Sequence, residues 1–340
     1  MKVNLKNMTI EELKQFCAGE SMESYRALQL YRWIWKKDID NFLDITTLSK
    51  KQREELESRI ALPRLKVLEV LQARDKTLKF LFGLPDGNTI ESVFIPTKRR
   101  KTICVSTQVG CSLRCSFCMT GKTGFTRDLS VWEIADQVRR VESIVEKRIS
   151  NVVLMGIGEP LLNLKNVMKA IKILNCENGM NIGARKITIS TAGIIPGIIA
   201  LSQESIQVKL AVSLNAATDR KREILMPINR KYNLGRLFEA LEDYYSLKGK
   251  RITFEYVLIK GFNDSISDAK RLASITENIP CKINIIPFNS IGPGKFKRPD
   301  PERIKKFINW LSPIAQAVSL RVSRGSAIGG ACGQLRARKP

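Results

Sequence analysis

The sequence predicts an α/β protein, an incomplete βα barrel preceded by a helical region and a β-hairpin. Three patterns carry this. Beyond residue 101, continuous β-branched runs alternate with helical patterns, as in a parallel sheet covered by helices. Between residues 78 and 95 the apolar period falls to two, the mark of a hairpin. Before residue 75 the period is helical.

Residues 1–75 read as one helical accessory domain. Thr9-Ile-Glu-Glu is a helix start with acidic residues in its first turn. Within Tyr25–Lys37, Leu28, Tyr31 and Trp35 fall near one face, and Arg26, Arg32, Lys36 and Lys37 supply charge. Aromatics interleaved with cations suit either an RNA-contacting surface or a small bundle core with a solvated rim, and the pattern alone does not choose.

Residues 76–100 form a hairpin and linker. Leu78, Phe80, Phe82 and Leu84 alternate, Pro85-Asp-Gly87 turns the chain, and Ile90–Ile95 returns it. Glu91 shares a side with Val93 and Ile95, so it is either an edge-strand charge that discourages aggregation or a base aimed into a site.

Residues 101–325 hold the barrel. Strands are expected at 102–106, 151–155, 186–190, 208–213, 252–259, 281–286 and 318–322, with helices such as Val131–Glu146, Asn163–Leu174 and Pro301–Leu311 between them. Phe288–Lys295 is a loop. Residues 326–340 form a C-terminal loop in which three glycines around Cys332 allow movement.

In parallel βα architectures the site forms at the carboxyl ends of the strands. Cys111, Cys115 and Cys118 follow the first barrel strand, and Gly158-Glu159 the second. Ser190 ends the third, Ser213-Leu214-Asn215 the fourth, Asn289 follows the sixth, and Cys332 the last. Six features therefore converge on one mouth.

Composition narrows the chemistry. The chain has no histidine, which removes Ser-His-Asp triads, Cys-His pairs and HExxH zinc sites. A formal charge of +24 favours a polyanionic partner, because neutralised phosphates release counterions. No window has the apolar length of a membrane span and Met1-Lys-Val-Asn-Leu-Lys lacks a signal-peptide core, so a soluble cytoplasmic protein is expected. In that reducing compartment the eight cysteines read as cofactor and catalytic chemistry rather than a disulfide framework. Cys17, Cys176 and Cys281 read as packing residues.

Cys111-Ser-Leu-Arg-Cys115-Ser-Phe-Cys118 puts three sulfurs on one tight loop. Zinc needs a fourth close ligand, which the sequence does not supply as a second pair. A 4Fe-4S cluster takes four thiolates, so three leave one iron open to a substrate.

This CxxxCxxC spacing, followed by Met155-Gly-Ile-Gly-Glu-Pro160, resembles the radical S-adenosylmethionine (SAM) superfamily. Cys104–Cys111, Met119–Phe125, Ile189–Gly193, Met226–Asn229 and Ala331–Leu335 narrow the resemblance to the bacterial adenine-C2 methyltransferases of 23S ribosomal RNA and transfer RNA. That family implies a partial (βα)6 radical-SAM barrel, here with a final extra strand, and an N-terminal helical domain engaging RNA. It implies a 4Fe-4S cluster on Cys111, Cys115 and Cys118, with SAM bound by its open iron and cleaved by one electron to a 5′-deoxyadenosyl radical.

SAM contacts map to Gly158, Glu159, Ser190, Ser213, Leu214, Asn215 and Asn289, although Ser190 and Ser213 taken singly are ordinary strand-end residues. By the same resemblance Cys332 is methylated by a first SAM, and the radical from a second converts it into a methylene radical that adds to adenine C2. Cys104, which in isolation reads as a buried strand cysteine, resolves the adduct through a transient disulfide with Cys332, and Glu91 is the proton acceptor. The family implies a low-potential electron donor such as flavodoxin or ferredoxin, no membrane partner, and a monomer.

Two departures stand out. The family often has histidine at Asn215, and acidic residues where this chain has Gly325–Gly330. Two rival readings are a related C8-methylating enzyme of the antibiotic-resistance type and a non-catalytic iron-sulfur RNA-binding or ribosome-assembly factor. Pro160 after Gly-Ile-Gly-Glu resembles the C2 group.

Overall fold

In the computed structural model, residues 2–292 and 294–336 are described. Met1, Pro293 in the expected 288–295 loop, and the last four residues of the expected 326–340 segment lie outside them. The N-terminal unit opens with β1 (Val3–Asn4) and continues through α1 (Ile10–Gly19), α2 (Ser24–Trp35) and α3 (Lys50–Arg59) to β2 (Ile60–Ala61), which pairs with β1 in parallel. Thr9 and Glu12 cap α1 reciprocally, and Ser49 and Gln52 do the same for α3. Ala27, Leu30, Tyr31, Ile34 and Trp35 form the buried face of α2. Tyr31 and Trp35 are thus core, while Lys37 lies over Trp33 at 3.7 Å and Arg26 over Tyr25 at 4.9 Å.

Three antiparallel strands follow, β3 (Lys66–Gln72), β4 (Leu78–Gly83) and β5 (Thr89–Pro96). Strand β3 corrects the helical reading of residues 1–75. Its apolar residues Val67, Leu68, Val70 and Leu71 have helix-like spacing, but on a sheet edge only one face is covered, leaving Leu68 and Val70 exposed. The predicted hairpin is the β4–β5 pair. It extends the barrel sheet, because β5 pairs antiparallel with β6 (Lys101–Cys104), the first barrel strand, with Val93 opposite Cys104.

After β6 the chain makes a small ribbon of β7 (Gln108–Gly110) and β8 (Phe125–Asp128), whose connection carries the three cysteines. The barrel then runs α4 (Val131–Val145), β9 (Asn151–Leu154), α5 (Leu164–Asn175), β10 (Ile187–Thr191), α6 (Ile195–Gln203) and β11 (Lys209–Ser213). It continues with α7 (Asp219–Leu225), α8 (Leu234–Lys248), β12 (Ile252–Leu258), α9 (Ile266–Thr276), β13 (Cys281–Pro287), α10 (Pro301–Leu311) and β14 (Val318–Leu320). One open sheet of ten strands results, ordered β14-β13-β12-β11-β10-β9-β6-β5-β4-β3. Strands β6 and β9 to β13 are the six parallel barrel strands, and β14 is the added seventh. Their carboxyl ends share one rim.

A buried ion pair joins the N-terminal unit to the barrel. Lys6 Nζ lies 2.8 Å from Asp136 Oδ1 on α4, and both side chains are fully buried. The other carboxylate oxygen accepts from the Leu65 amide at 2.8 Å, just before β3. Removing one member strands the other's charge in the interior. Lys6→Met is expected to cost about 3–5 kcal/mol, read as a shift in the urea midpoint. Lys50→Ala breaks only an exposed α3 pair with Glu54, and its cost is expected to be under about 0.5 kcal/mol; equal losses in the two variants would contradict the assigned role of the buried pair.

Candidate active site

The β7–β8 connection folds against the rim of the sheet. The Cys111 amide donates to Gly124 O at 2.7 Å, closing its base, and Ser116 N donates to Leu225 O at 2.9 Å, docking its tip on the end of α7. Cys111, Cys115 and Cys118 line one cavity. Gly158, Glu159, Ser190, Ser213, Asn215, Asn289 and Cys332 line the same cavity. Ten of the thirteen residues singled out from the sequence therefore meet in one space.

The other three lie elsewhere. Leu214 is fully buried in the hydrophobic core, so only its backbone approaches the site. Leu214, directly after β11, turns its side chain into the core, while Ser213 and Asn215 line the cavity. Cys104 lines a second cavity, which shares Cys332, Met155, Ile286 and Arg321 with the first. Glu91 lines neither. It is fully buried, 3.2 Å from Lys79 Nζ, and its Oε2 accepts from the Arg336 amide at 3.0 Å.

Several expected ligand contacts already serve the protein. Glu159 accepts from the Leu161 amide at 3.0 Å and the Ala192 amide at 2.7 Å. Burial pushes its carboxyl up to about 7 against the lowering effect of those two amides. Gly158 has a φ of +103°, and a Cβ there would come 2.5 Å from Gln108 Cβ, so packing behind the cavity already requires glycine. Asn215 holds the left-handed φ of +60° that Asn tolerates, donates to Met226 Sδ at 3.2 Å and accepts from Val257 N at 2.9 Å. Asn289 Nδ2 donates to Cys332 O at 3.2 Å, holding the C-terminal segment over the cavity.

The donor set fits an iron-sulfur cluster. The three sulfurs are soft, share one cavity and have no nitrogen ligand beside them. Among the described residues no group of three or more Cys, Asp or Glu side chains converges closely enough to hold a single metal ion. Burial pushes the Cys111 thiol up to about 12, Cys115 well above its ordinary value, and Cys118 upward. Cluster binding must therefore release protons. All eight cysteines are free thiols.

Sequence reasoning missed the buried charges. Arg321 lies 3.5 Å from Glu255 Oε1 and donates to Met155 Sδ at 3.4 Å, in the wall between the two cavities. The Cys332 sulfur first, then Glu255 and Cys104, raises its pKa against the effect of burial. Burial pushes the Cys104 thiol up to about 12, Cys332 adding to the rise and Arg321 opposing it. Ionic residues within apolar strand runs, Glu255 in Ile252–Leu258 and Arg321 in Val318–Val322, were the available signal.

Comparison with known proteins agrees with this geometry. A profile of the radical SAM superfamily matches residues 105–273, and one of the ribosomal RNA large subunit methyltransferase N-terminal domain matches residues 3–62. The dual-specificity RNA methyltransferase RlmN of Geotalea uraniireducens is 45% identical over 337 residues, covering 99% of this chain and 97% of that protein. This chain belongs to the RlmN family of radical SAM enzymes. Another RlmN relative, the probable dual-specificity RNA methyltransferase of Thermotoga maritima, is also 45% identical, with 99% and 98% of the two chains covered. The crystal structure of a radical SAM methyltransferase from Sphaerobacter thermophilus superposes with a TM-score of 0.93 at 41% identity, covering 98% of this chain and 99% of that one. Membership of the RlmN family brings a 4Fe-4S cluster and SAM as cofactors.

Glu159 offers a pH test. Its folded pKa of about 7 lies above the ordinary 4.5, so between these values the folded protein keeps a proton that the unfolded chain has released. The stabilisation is complete below the unfolded pKa and is lost as pH rises through the folded one. Against Glu159→Gln, which does not titrate, the cofactor-free wild type is expected to lose on the order of 2 kcal/mol between about pH 5 and pH 8. Chemical denaturation at several pH values measures this, and a constant difference between the two proteins would rule it out.

Proposed function

We propose that this chain methylates C2 of one adenosine in 23S ribosomal RNA and of one in the transfer RNA anticodon loop, through a methyl group carried on Cys332. The observation that carries this reading is that Cys332 lines both cavities, the one with the cysteine trio and the one with Cys104. A carrier must face its donor and its resolving partner in turn. Family membership and the charge of +24 support RNA as the acceptor.

A 4Fe-4S cluster held by Cys111, Cys115 and Cys118 supplies, with SAM, the low-potential electron and hydrogen abstraction that the non-nucleophilic adenine C2 requires. Gly158, Glu159, Ser190, Ser213, Asn215, Asn289 and the backbone of Leu214 bind SAM. The Glu159 oxygens already accept backbone amides, but each has a further lone pair for an ammonium group. Cys332 takes the methyl group on its sulfur and, after hydrogen abstraction, bonds to adenine C2 through the remaining methylene. Glu91 takes the proton released from C2, and the unpaired electron of the adduct would return to the cluster that Cys111, Cys115 and Cys118 would hold, replacing the one spent on cleaving SAM.

Cys104 then attacks the Cys332 sulfur. The sulfur–methylene bond breaks with its electron pair on carbon, a proton completes the methyl group, and a Cys104–Cys332 disulfide remains for reduction. Arg321 opposes the effect of burial on the Cys104 thiol, the group that makes this attack. The electron comes from a low-potential donor such as flavodoxin or ferredoxin. The protein works as a monomer in the cytoplasm, where reduced thiols persist.

Anaerobic, cluster-loaded protein incubated with SAM is expected to gain one methyl group on Cys332 by peptide mass spectrometry. With RNA added, nucleoside analysis is expected to place the new methyl at adenine C2. Cys104→Ala should still methylate Cys332 but accumulate a covalent protein–RNA species, and Cys332→Ala should give no methylated RNA. An unmodified Cys332 in protein that still cleaves SAM reductively would overturn the carrier mechanism, and a methyl at C8 would overturn the assigned position.

A further inference from the structure

Arg222 is a buried charge that the proposed cycle leaves without a task. It lies on α7, fully buried, and every hydrogen-bond acceptor it meets among the described residues is neutral. These are the carbonyls of Ala192 at 2.6 Å, Leu214 at 3.3 Å and Tyr232 at 3.5 Å, and Asn229 Oδ1 at 2.9 Å. Asn229 stands between it and Asp219, donating to Asp219 Oδ1 at 2.9 Å. Burial lowers the Arg222 pKa to about 10, which still leaves the guanidinium charged at neutral pH.

Holding a cation in the interior on neutral hydrogen-bond acceptors, with the Asp219 carboxylate acting on it only from behind Asn229, is unfavourable by several kcal/mol, on the order of the effective penalty for a buried ion. Such a group is retained where an opposite charge completes it.

The surroundings show where that charge arrives. Ala192, whose carbonyl Arg222 holds, lines the cysteine cavity, as do Asn215 and Met226 at the two ends of the α7 segment. The end of the same helix holds the cysteine loop, Leu225 O accepting from Ser116 N at 2.9 Å and Ile224 O from Ser116 Oγ at 3.0 Å, one residue from Cys115. The Arg222 charge acts on the Cys115 sulfur.

We propose that Arg222 is the fixed counter-cation of the iron-sulfur cluster, completed by the negative charge that the three thiolates bring and placed to ease the cluster's one-electron reduction. This rests on the reading of Cys111, Cys115 and Cys118 as cluster ligands. Reduction adds negative charge, so a cation held close behind a low-dielectric wall stabilises the reduced form more than the oxidised one and raises the potential. The rigid hydrogen-bonded cage keeps that cation in place.

The test is a spectroelectrochemical titration of the reconstituted, SAM-free protein, with the reduced cluster followed by electron paramagnetic resonance. Arg222→Gln is expected to lower the ratio of reduced to oxidised cluster at a fixed potential at least tenfold, equivalent to about 59 mV for a one-electron couple. Arg222→Lys, which keeps the charge, is expected to stay within about threefold of wild type, on the same conversion. Asn229→Asp, made together with Asp219→Asn so that the new carboxylate does not face a second one, sets a carboxylate against the guanidinium with little change in shape. It is expected to shift the ratio in the same direction as Arg222→Gln, and it decides the matter if that variant does not fold.

Unchanged potentials in Arg222→Gln and in the paired Asn229→Asp and Asp219→Asn variant would overturn the counter-cation role while leaving the cluster in place. So would an Arg222→Lys shift as large as that of Arg222→Gln, which would mark a hydrogen-bonding scaffold instead. A wild type without a 4Fe-4S signal would overturn the ligand reading itself.

Discussion

The site depends on a short, irregular C-terminal segment being held across the mouth of the barrel by hydrogen bonds to its backbone. Asp75 accepts from the Gly325 amide at 3.1 Å and Glu91 from the Arg336 amide at 3.0 Å, both from the antiparallel strands and their turns. Asn289 donates to Cys332 O, Met119 N to Gly333 O at 2.7 Å, and Thr120 Oγ1 to Leu335 O at 2.6 Å. Over its described residues no long helix or strand orders this segment, so its course there rests on these contacts. The three antiparallel strands are therefore part of the site, because continuing the barrel sheet through β5 is what brings Asp75 and Glu91 to the mouth.

That constraint explains which parts of the site could be read from the sequence. Strand ends were legible, because β-branched runs mark the strands and parallel topology gathers their carboxyl ends whatever the intervening helices do. The cysteine trio was legible because its spacing is local. Leu214 was assigned to the site through its neighbours, and its side chain turns into the core. Lys6 and Asp136 stand 130 residues apart, and nothing local in either announces the other. Strand β3 was misread because Val67, Leu68, Val70 and Leu71 satisfy a helical period as well as a one-faced edge.

Charge in this site is arranged by burial as much as by pairing. Glu159 keeps its carboxyl on two backbone amides, Glu255 keeps Arg321 between the sulfurs of two cavities, and Arg222 keeps its charge without an acidic hydrogen-bond partner. These groups stand where the thiols are pushed toward their neutral forms. Cofactor-free protein therefore holds Arg222 with little thiolate to answer it, and cluster loading exchanges protons on sulfur for a net negative charge beside it. On this reasoning the cluster contributes to the electrostatic completion of the barrel as well as to its chemistry.

The glycines around Cys332 have a different meaning in the fold from the one their number suggests. Gly333 sits at a φ of +82°, and a Cβ there would lie 3.2 Å from Phe117 O, so it turns the chain tightly beneath the cysteine loop rather than loosening it. With the segment held on both sides of Cys332, large excursions would break several hydrogen bonds at once. The proposed cycle does not require them. Cys332 already lines both cavities, together with Met155, Ile286 and Arg321, so a turn of its side chain would take the sulfur from the trio's side of the wall toward Cys104. A carrier whose backbone stays fixed keeps Arg321 beside the sulfur throughout. That favours a short rotation of the side chain over a displacement of the backbone.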